Sequence, residues 1–428
     1  MKYVAIDLVH QNGNMVGNAM TLEMFSQLLN EMHTWKGYYF FLITNKENSE
    51  YYAKFNNVNM KAVRFSRTVP KSSDEVAPYT YLSKAITPSK SCLYTSVAAQ
   101  KVKNKVLYKF AHLKSKLQIQ PNVVHKLNKK LNIQIGLTFC PSGIPKIVDQ
   151  TLPQLIIPIN LVGLEYPYAF SPSVLHKTKH IFQHIVANHM HCLMFSEYTM
   201  SIFSNYYDYC LDMLSYIPGF VAHDSHQKIS TPEIINLLSE SEKKELVYSP
   251  LPARPEFEHN SLLVAFSMYL RSTQNKKAHL VLSELTQKQH FALSQIAKKI
   301  GISKNISLFE TLNISERRAI IEKSKMIIFN GFFEEANPFL LEALSSSNVY
   351  CANNQFYFAL PKGIVNYFDY RDPSIVCDAI CKGLSVGTSK LRDYQQQANN
   401  YLLDCSLQNY SLQLRNLFDQ LYHNPKNH

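Results

Sequence analysis

Met326-Ile327-Ile328-Phe329-Asn330-Gly331-Phe332-Phe333-Glu334-Glu335-Ala336-Asn337-Pro338-Phe339-Leu340-Leu341-Glu342-Ala343-Leu344 runs from an apolar strand through a polar loop into a helix start. Asn337 is a favoured N-cap and Pro338 a favoured first helical residue, so the free backbone amides of the first turn point out of the helix end. Such an end attracts phosphate. Glu334 lies on the loop before that helix and Glu342 one turn inside it. Acceptors on either side of an anion-binding terminus suit sugar and ribose hydroxyls, although both acids can equally be complementing the helix dipole.

Outward from this stretch, short apolar runs alternate with longer helical patterns, which predicts parallel sheets wrapped by helices. In a first block, Lys2-Ile6, Tyr38-Ile43, Leu137-Cys140, Leu155-Ile159 and His191-Phe195 are expected strands, with helices at Leu22-Met32 and His176-Ala187. A second block is expected after the proline-marked segment Ser249-Pro255. Its strands are Leu262-Phe266, His279-Leu282, Ile306-Phe309 and Met326-Phe329, and its helices include Gln287-Lys299 and Ser315-Lys323. Ser389-Leu403 and Leu412-Leu421 are expected to close the structure. The domains are accordingly expected at 1–245 and 246–405, with a closing C-terminal helix in 406–428. At 428 residues and 46% hydrophobic content, two filled cores are the default. Two doubly wound domains leave a cleft between the carboxyl ends of their strands, where ligands bind in such folds.

Composition narrows the classes of function. The amino terminus meets Asp7 too early for a signal peptide, and the most apolar window, Leu155 to Leu164, falls short of the ~20 residues of a spanning helix. A cytoplasmic protein is expected. The eight cysteines form no Cys-x-x-Cys pair, and even Cys377 and Cys381, four apart on an expected helix, have no further ligands at readable spacing. His180 and His184 share a helical face, but Ile181 stands where a metalloprotease carries glutamate. No metal site is expected from either group.

The net charge of +12 concentrates between Lys101 and Lys130, a stretch with nine lysines and no acid. Interleaved Val106, Leu107, Phe110, Leu113 and Leu117 recur at helical spacing, so this stretch is either a solvated lysine face or a surface for an anionic membrane. Nucleic acid is a poorer partner, because no zinc-finger spacing or RNP-like aromatic motif accompanies the charge.

Glu334-x7-Glu342 followed by Ala343 resembles the Glu-x7-Glu signature of the family 4 glycosyltransferases. The likeness continues in Ile306-Phe309 and Ile320-Met326, which resemble the strand and helix before that signature. In the first block, Met194-Thr199 is similar to the family's strand ending in Ser-Glu, and Ile217-Phe220 to its last first-domain turn. The resemblance implies an α/β chain of the GT-B type: two Rossmann-like, doubly wound parallel-sheet domains facing a central cleft. It implies a retaining transferase that moves sugar from a UDP- or GDP-linked donor to a glycan or lipid-linked acceptor. No metal or other cofactor is implied, in keeping with the absence of any Asp-x-Asp.

Carried over residue by residue, the resemblance puts Glu342 on the nucleotide ribose and Glu334 on the donor sugar. It puts the diphosphate on the amides of Leu340 and Leu341, in the helix start capped by Asn337. Arg271 and Lys276 have the spacing of the family's Arg and Lys that neutralise the leaving diphosphate. Gly17 belongs to the thinned amino-terminal glycine loop. Ile159-Asn160 stands where the family has His-Asp, leaving Asn160 on the acceptor side, and Cys351-Gln355 replaces the glycines after the signature helix. Those departures keep two further readings open: a catalytically inactive sugar-nucleotide-binding protein, and a basic membrane- or nucleic-acid-binding scaffold.

Overall fold

The computed structural model describes residues 1–9, 15–16, 20–45, 48–64, 123–143, 151–158, 161–221, 229, 231–241, 243–252, 257–331, 338–344, 348–353, 360 and 363–423. The strands in chain order are β1 (Lys2–Asp7), β2 (Met15–Val16), β3 (Met20–Thr21), β4 (Tyr38–Thr44), β5 (Met60–Arg64), β6 (Ile135–Cys140), β7 (Gln154–Ile156), β8 (His191–Met194) and β9 (Leu214–Tyr216). They continue as β10 (Glu245–Ser249), β11 (Ala278–Leu282), β12 (Ile306–Leu308), β13 (Ser324–Phe329), β14 (Val349–Ala352) and β15 (Asn366–Phe368). A seven-stranded sheet has the order β5-β4-β1-β6-β7-β8-β9 and a six-stranded sheet the order β12-β11-β10-β13-β14-β15. Every pairing in both is parallel; β2 and β3 form a separate antiparallel pair.

Parallel strands covered by helices on both faces need apolar residues at successive positions rather than alternate ones. Val4, Ala5 and Ile6 of β1 and Met326 to Phe329 of β13 meet that requirement and are fully buried. The strand order reverses between β1 and β6 in one sheet and between β10 and β13 in the other. These two switch points, at the carboxyl ends of the strands, are where such sheets open a crevice for ligands.

One strand expectation is overturned. Leu262-Phe266 lies inside the helix His259–Thr273, and the strand before it is β10. Leu262, Leu263, Ala265, Phe266 and Tyr269 are buried while Val264 and Met268 are 40% and 38% exposed, the spacing of one helical face. Five apolar residues in a row satisfy a buried strand and a buried helix turn equally well, and the length of the element decides between them.

The terminal helix Leu407–His423 belongs to the core of the first domain. Leu407, Tyr410, Leu414, Leu417, Phe418 and Leu421 line its buried face and pack among residues of β1, β4 and β6. Trp35 Nε1 donates to Ser411 Oγ at 2.9 Å, Tyr38 Oη donates to Asp419 Oδ1 at 2.5 Å, and Lys2 pairs with the same carboxylate. The main chain also ties the halves together, with Val221 N donating to Cys405 O at 3.1 Å. Most of the lysine stretch, Lys101 to Lys126, lies outside the residues whose side chains are described; Lys129 and Lys130 are exposed at the end of the helix Val123–Leu131. Among the described residues no helix is long and apolar enough to cross a membrane.

Candidate active site at the facing strand ends

The second domain contributes the polar centre. The helix Ile314–Lys323 starts with a capping box, in which Asn313 Oδ1 accepts from Glu316 N at 2.9 Å and Asn313 N donates to Glu316 Oε2 at 3.2 Å. That start sets Ile314, Arg317, Ile320 and Ile321 on the inward face. Arg317 is therefore a cation on an apolar stripe, 2% exposed. It meets Glu342, also 2% exposed, on the helix Pro338–Leu344. Nε donates to Glu342 Oε2 at 3.0 Å and Nη2 to Oε1 at 3.1 Å, the two-pronged geometry that makes guanidinium–carboxylate pairs strong. Nη1 donates to Leu312 O at 2.6 Å and lies 3.9 Å from Glu284 Oε1, and the guanidinium stands 4.9 Å from the Phe339 ring centroid.

One guanidinium thus faces two buried carboxylates. Burial works against the charge on Arg317, but Glu342 and then Glu284 more than offset it, so the cation is held charged. Glu284, just beyond the carboxyl end of β11, accepts from Leu312 N at 3.3 Å. Burial pushes its carboxyl up to about 7, because Arg317 is already matched by Glu342. The folded protein consequently holds a proton on Glu284 that the unfolded chain has lost. Stability from this group is full below its ordinary value of 4.5 and is lost as pH rises toward about 7. Denaturation midpoints should fall across that window, and Glu284→Gln should flatten the fall; an unchanged slope in the variant would contradict the assignment.

The first domain closes against this centre. Glu23, in the first turn of the helix Leu22–Met32, accepts from the backbone amide of Ile314 and feels the charges of Arg317 and Glu342; burial raises its carboxyl above the ordinary range. A β-carbon on Gly219 would come 3.4 Å from Leu341 Cδ1, so the turn after β9 meets the helix carrying Glu342 at ordinary van der Waals distance. Ile314 packs within the first domain's core.

At the switch point of the second sheet, buried polar atoms gather at the ends of β10 and β13. Ser249 Oγ and Asn330 Oδ1 are buried without a hydrogen-bond partner, while Asn330 Nδ2 donates to Glu258 O at 3.1 Å. His259 Nε2 lies 3.0 Å from Leu251 O, the ring also hydrogen-bonds the backbone of Phe257, and burial lowers its pKa to about 4, so the ring is neutral. Buried polar atoms are rarely left unmatched, which marks this end of the sheet as one suited to a polar ligand.

The sequence-derived assignments fare differently. Glu342 is brought to the interdomain centre, and Leu340 and Leu341 sit beside it with buried side chains. Glu334, Asn337, Gly17 and Asn160 lie outside the described residues. Arg271 and Lys276 are not brought to this centre. Arg271 occupies the last turn of the helix His259–Thr273, where Nη2 donates to Ile300 O at 3.3 Å, and Lys276 precedes β11. Both are at the amino-terminal edge of the sheet, opposite the switch point, because the segment taken for the first strand is the helix that returns from it. The segment that does follow β10 carries Arg254, which is outside the described residues. Replacing Arg271 and Lys276 by alanine should leave nucleotide affinity within about twofold and stability within about 0.5 kcal/mol, as for ordinary surface changes. A tenfold loss of affinity would restore them to the site.

Arg317, Glu284, Glu23, Asn330, Ser249 and His259 were not singled out by sequence. Arg317 had one signal, a charge at a position where the helical period calls for an apolar residue. Cys140, Cys192, Cys210, Cys351, Cys377, Cys381 and Cys405 are free thiols, and His176 and His180 stack edge-to-face with centroids 4.5 Å apart.

This architecture is the GT-B fold, and solved structures share it across nearly the whole chain. Sucrose-phosphate synthase from Thermosynechococcus elongatus is 12% identical over 99% of this chain and all of its own, with a TM-score of 0.64. HepE from Anabaena, solved with UDP and glucose, is 10% identical over 98% of this chain and all of its own, at 0.61. WaaG, a glycosyltransferase involved in lipopolysaccharide biosynthesis, is 10% identical over 97% of this chain and 99% of its own, at 0.59. No family model matches the sequence, and no curated protein does. At these identities the likeness establishes the fold.

Proposed function

We propose that the protein is a glycosyltransferase, taking a sugar from a UDP- or GDP-linked donor and passing it, with retained anomeric configuration and without a metal ion, to a glycan or lipid-linked acceptor. The observation that carries the reading is the buried Arg317–Glu342 pair where the two domains meet, together with the unmatched polar atoms of Ser249 and Asn330 at the switch point. A carboxylate accepts hydrogen bonds and donates none, which suits Glu342 to ribose hydroxyls. Glu334, eight residues before Glu342 in the sequence, would contact the donor sugar. Structures of the same fold include one solved with UDP-glucose, which supports the donor class.

A second reading, a sugar-nucleotide-binding protein without turnover, is favoured by the departures from the family pattern, Ile159-Asn160 in place of His-Asp and Cys351-Gln355 in place of the glycines. Release of nucleotide from UDP- and GDP-sugars separates the two. Turnover that survives EDTA and gives a product of unchanged anomeric configuration by proton NMR is the expected result. Complete, metal-reversible loss on chelation would overturn the metal-free mechanism, and an inverted product would overturn retention. Binding without turnover would select the second reading.

A further inference from the structure

Beyond the donor side, the first domain carries a group of tyrosines around a single carboxylate. Glu165 ends the short helix Val162–Glu165, which follows β7. Tyr198 opens and Tyr206 nearly closes the helix Glu197–Tyr207 after β8, and both hydroxyls reach the Glu165 carboxylate. Tyr206 Oη is also 2.9 Å from Leu164 O. Burial and then Glu165 hold the Tyr198 hydroxyl up at about 12, so it keeps its proton and remains a donor. Tyr166 and Tyr168 meet edge-to-face with centroids 6.1 Å apart, and Tyr168 is 81% exposed. Tyr370, from the turn after β15 of the other domain, packs against this first-domain core near Tyr166 and Tyr168. Glu165, Tyr166, Tyr168, Tyr198 and Tyr370 follow the carboxyl ends of β7, β8 and β15, the crevice side of such sheets, and Tyr206 reaches Leu164 from the returning end of its helix.

We propose that Glu165 with Tyr166, Tyr168, Tyr198, Tyr206 and Tyr370 forms a subsite for a pyranose ring of a carbohydrate acceptor. A sugar ring presents a face of C–H bonds and a rim of hydroxyls. Aromatic faces carry negative charge density that suits polarised C–H groups, and tyrosine adds a polar tip beside each apolar face. A carboxylate accepts from hydroxyls and donates nothing, so Glu165 supplies the complement to the rim. A nucleotide phosphate would meet Glu165 as a like charge. The subsite rests on the transferase reading for its role as acceptor site, and its ligand class rests on this chemistry alone.

The test uses the full chain on arrayed neutral oligosaccharides of hexoses and N-acetylhexosamines, with UDP affinity measured separately by titration. Retention on a subset of glycans is expected. Tyr168→Ala should lower it at least tenfold and Tyr168→Phe should preserve it, with the thermal midpoint and UDP affinity unmoved. Absence of retention on every glycan, or equal retention by Tyr168→Ala, would overturn the subsite while leaving donor binding intact. Glycan retention without any nucleotide affinity would instead overturn the transferase reading and leave the subsite standing. If Tyr168→Ala changes only the sedimentation of the chain, the tyrosines are a self-association face and the proposal falls.

Discussion

Glu342→Ala is expected to lower the free energy of unfolding by about 3–5 kcal/mol, because removing one member of a buried ion pair leaves its partner charged in a low-dielectric interior. Arg317 has no route to neutrality, since guanidinium does not release its proton in proteins. Its remaining partners are Leu312 O and, at 3.9 Å, Glu284. Glu284 is then expected to give up its proton and take over as counter-ion, which recovers part of the loss above neutral pH. Arg317→Leu combined with Glu342→Leu should be far milder than either single change, because apolar replacement of a whole buried pair is often neutral. Urea denaturation reads both effects. A loss below about 1 kcal/mol for Glu342→Ala would mean the pair is solvated and the interdomain centre more open than described.

Glu334→Ala is expected to slow sugar transfer by on the order of 10²-fold or more while leaving stability nearly unchanged, because interactions aimed at the reacting sugar act mainly in the transition state. The contrast with Glu342 is the useful part. One acid of the Glu-x7-Glu pair should be exposed by kinetics and the other by denaturation together with donor affinity. A ribose contact at Glu342, as proposed, would add about 1–3 kcal/mol to donor binding. Turnover of Glu334→Ala within threefold of the parent would remove that residue from the reacting centre.

Much of the architecture was legible where period, caps and length agreed. Leu22–Met32 and Gln287–Lys299 fall where their apolar periodicity predicted, and the second is fixed by the Thr286/Gln289 capping box. The error at Leu262-Phe266 came from a run too short for periodicity to separate helix from strand, and Arg271, placed by reference to that strand, lies in the last turn of the same helix. β10 escaped notice because its five residues follow a charged run and end at the prolines taken for a linker. In the site, Glu342 was readable from its spacing to Glu334, but its partner was not. Arg317 lies 25 residues earlier in sequence, and only the packing of one helix on the other brings them together. The tyrosine group shows the same limit, since Tyr370 joins Tyr166 and Tyr168 only through the meeting of two domains.

The most direct test of a nucleotide-sugar transferase is calorimetric titration of the intact chain with UDP-glucose and a panel of other UDP- and GDP-sugars. Saturable binding of at least one donor, weakened roughly tenfold or more in a Glu342→Gln variant shown to be folded, is the predicted result. Absence of binding to every nucleotide sugar, by a chain that is folded at the same concentration, would contradict it.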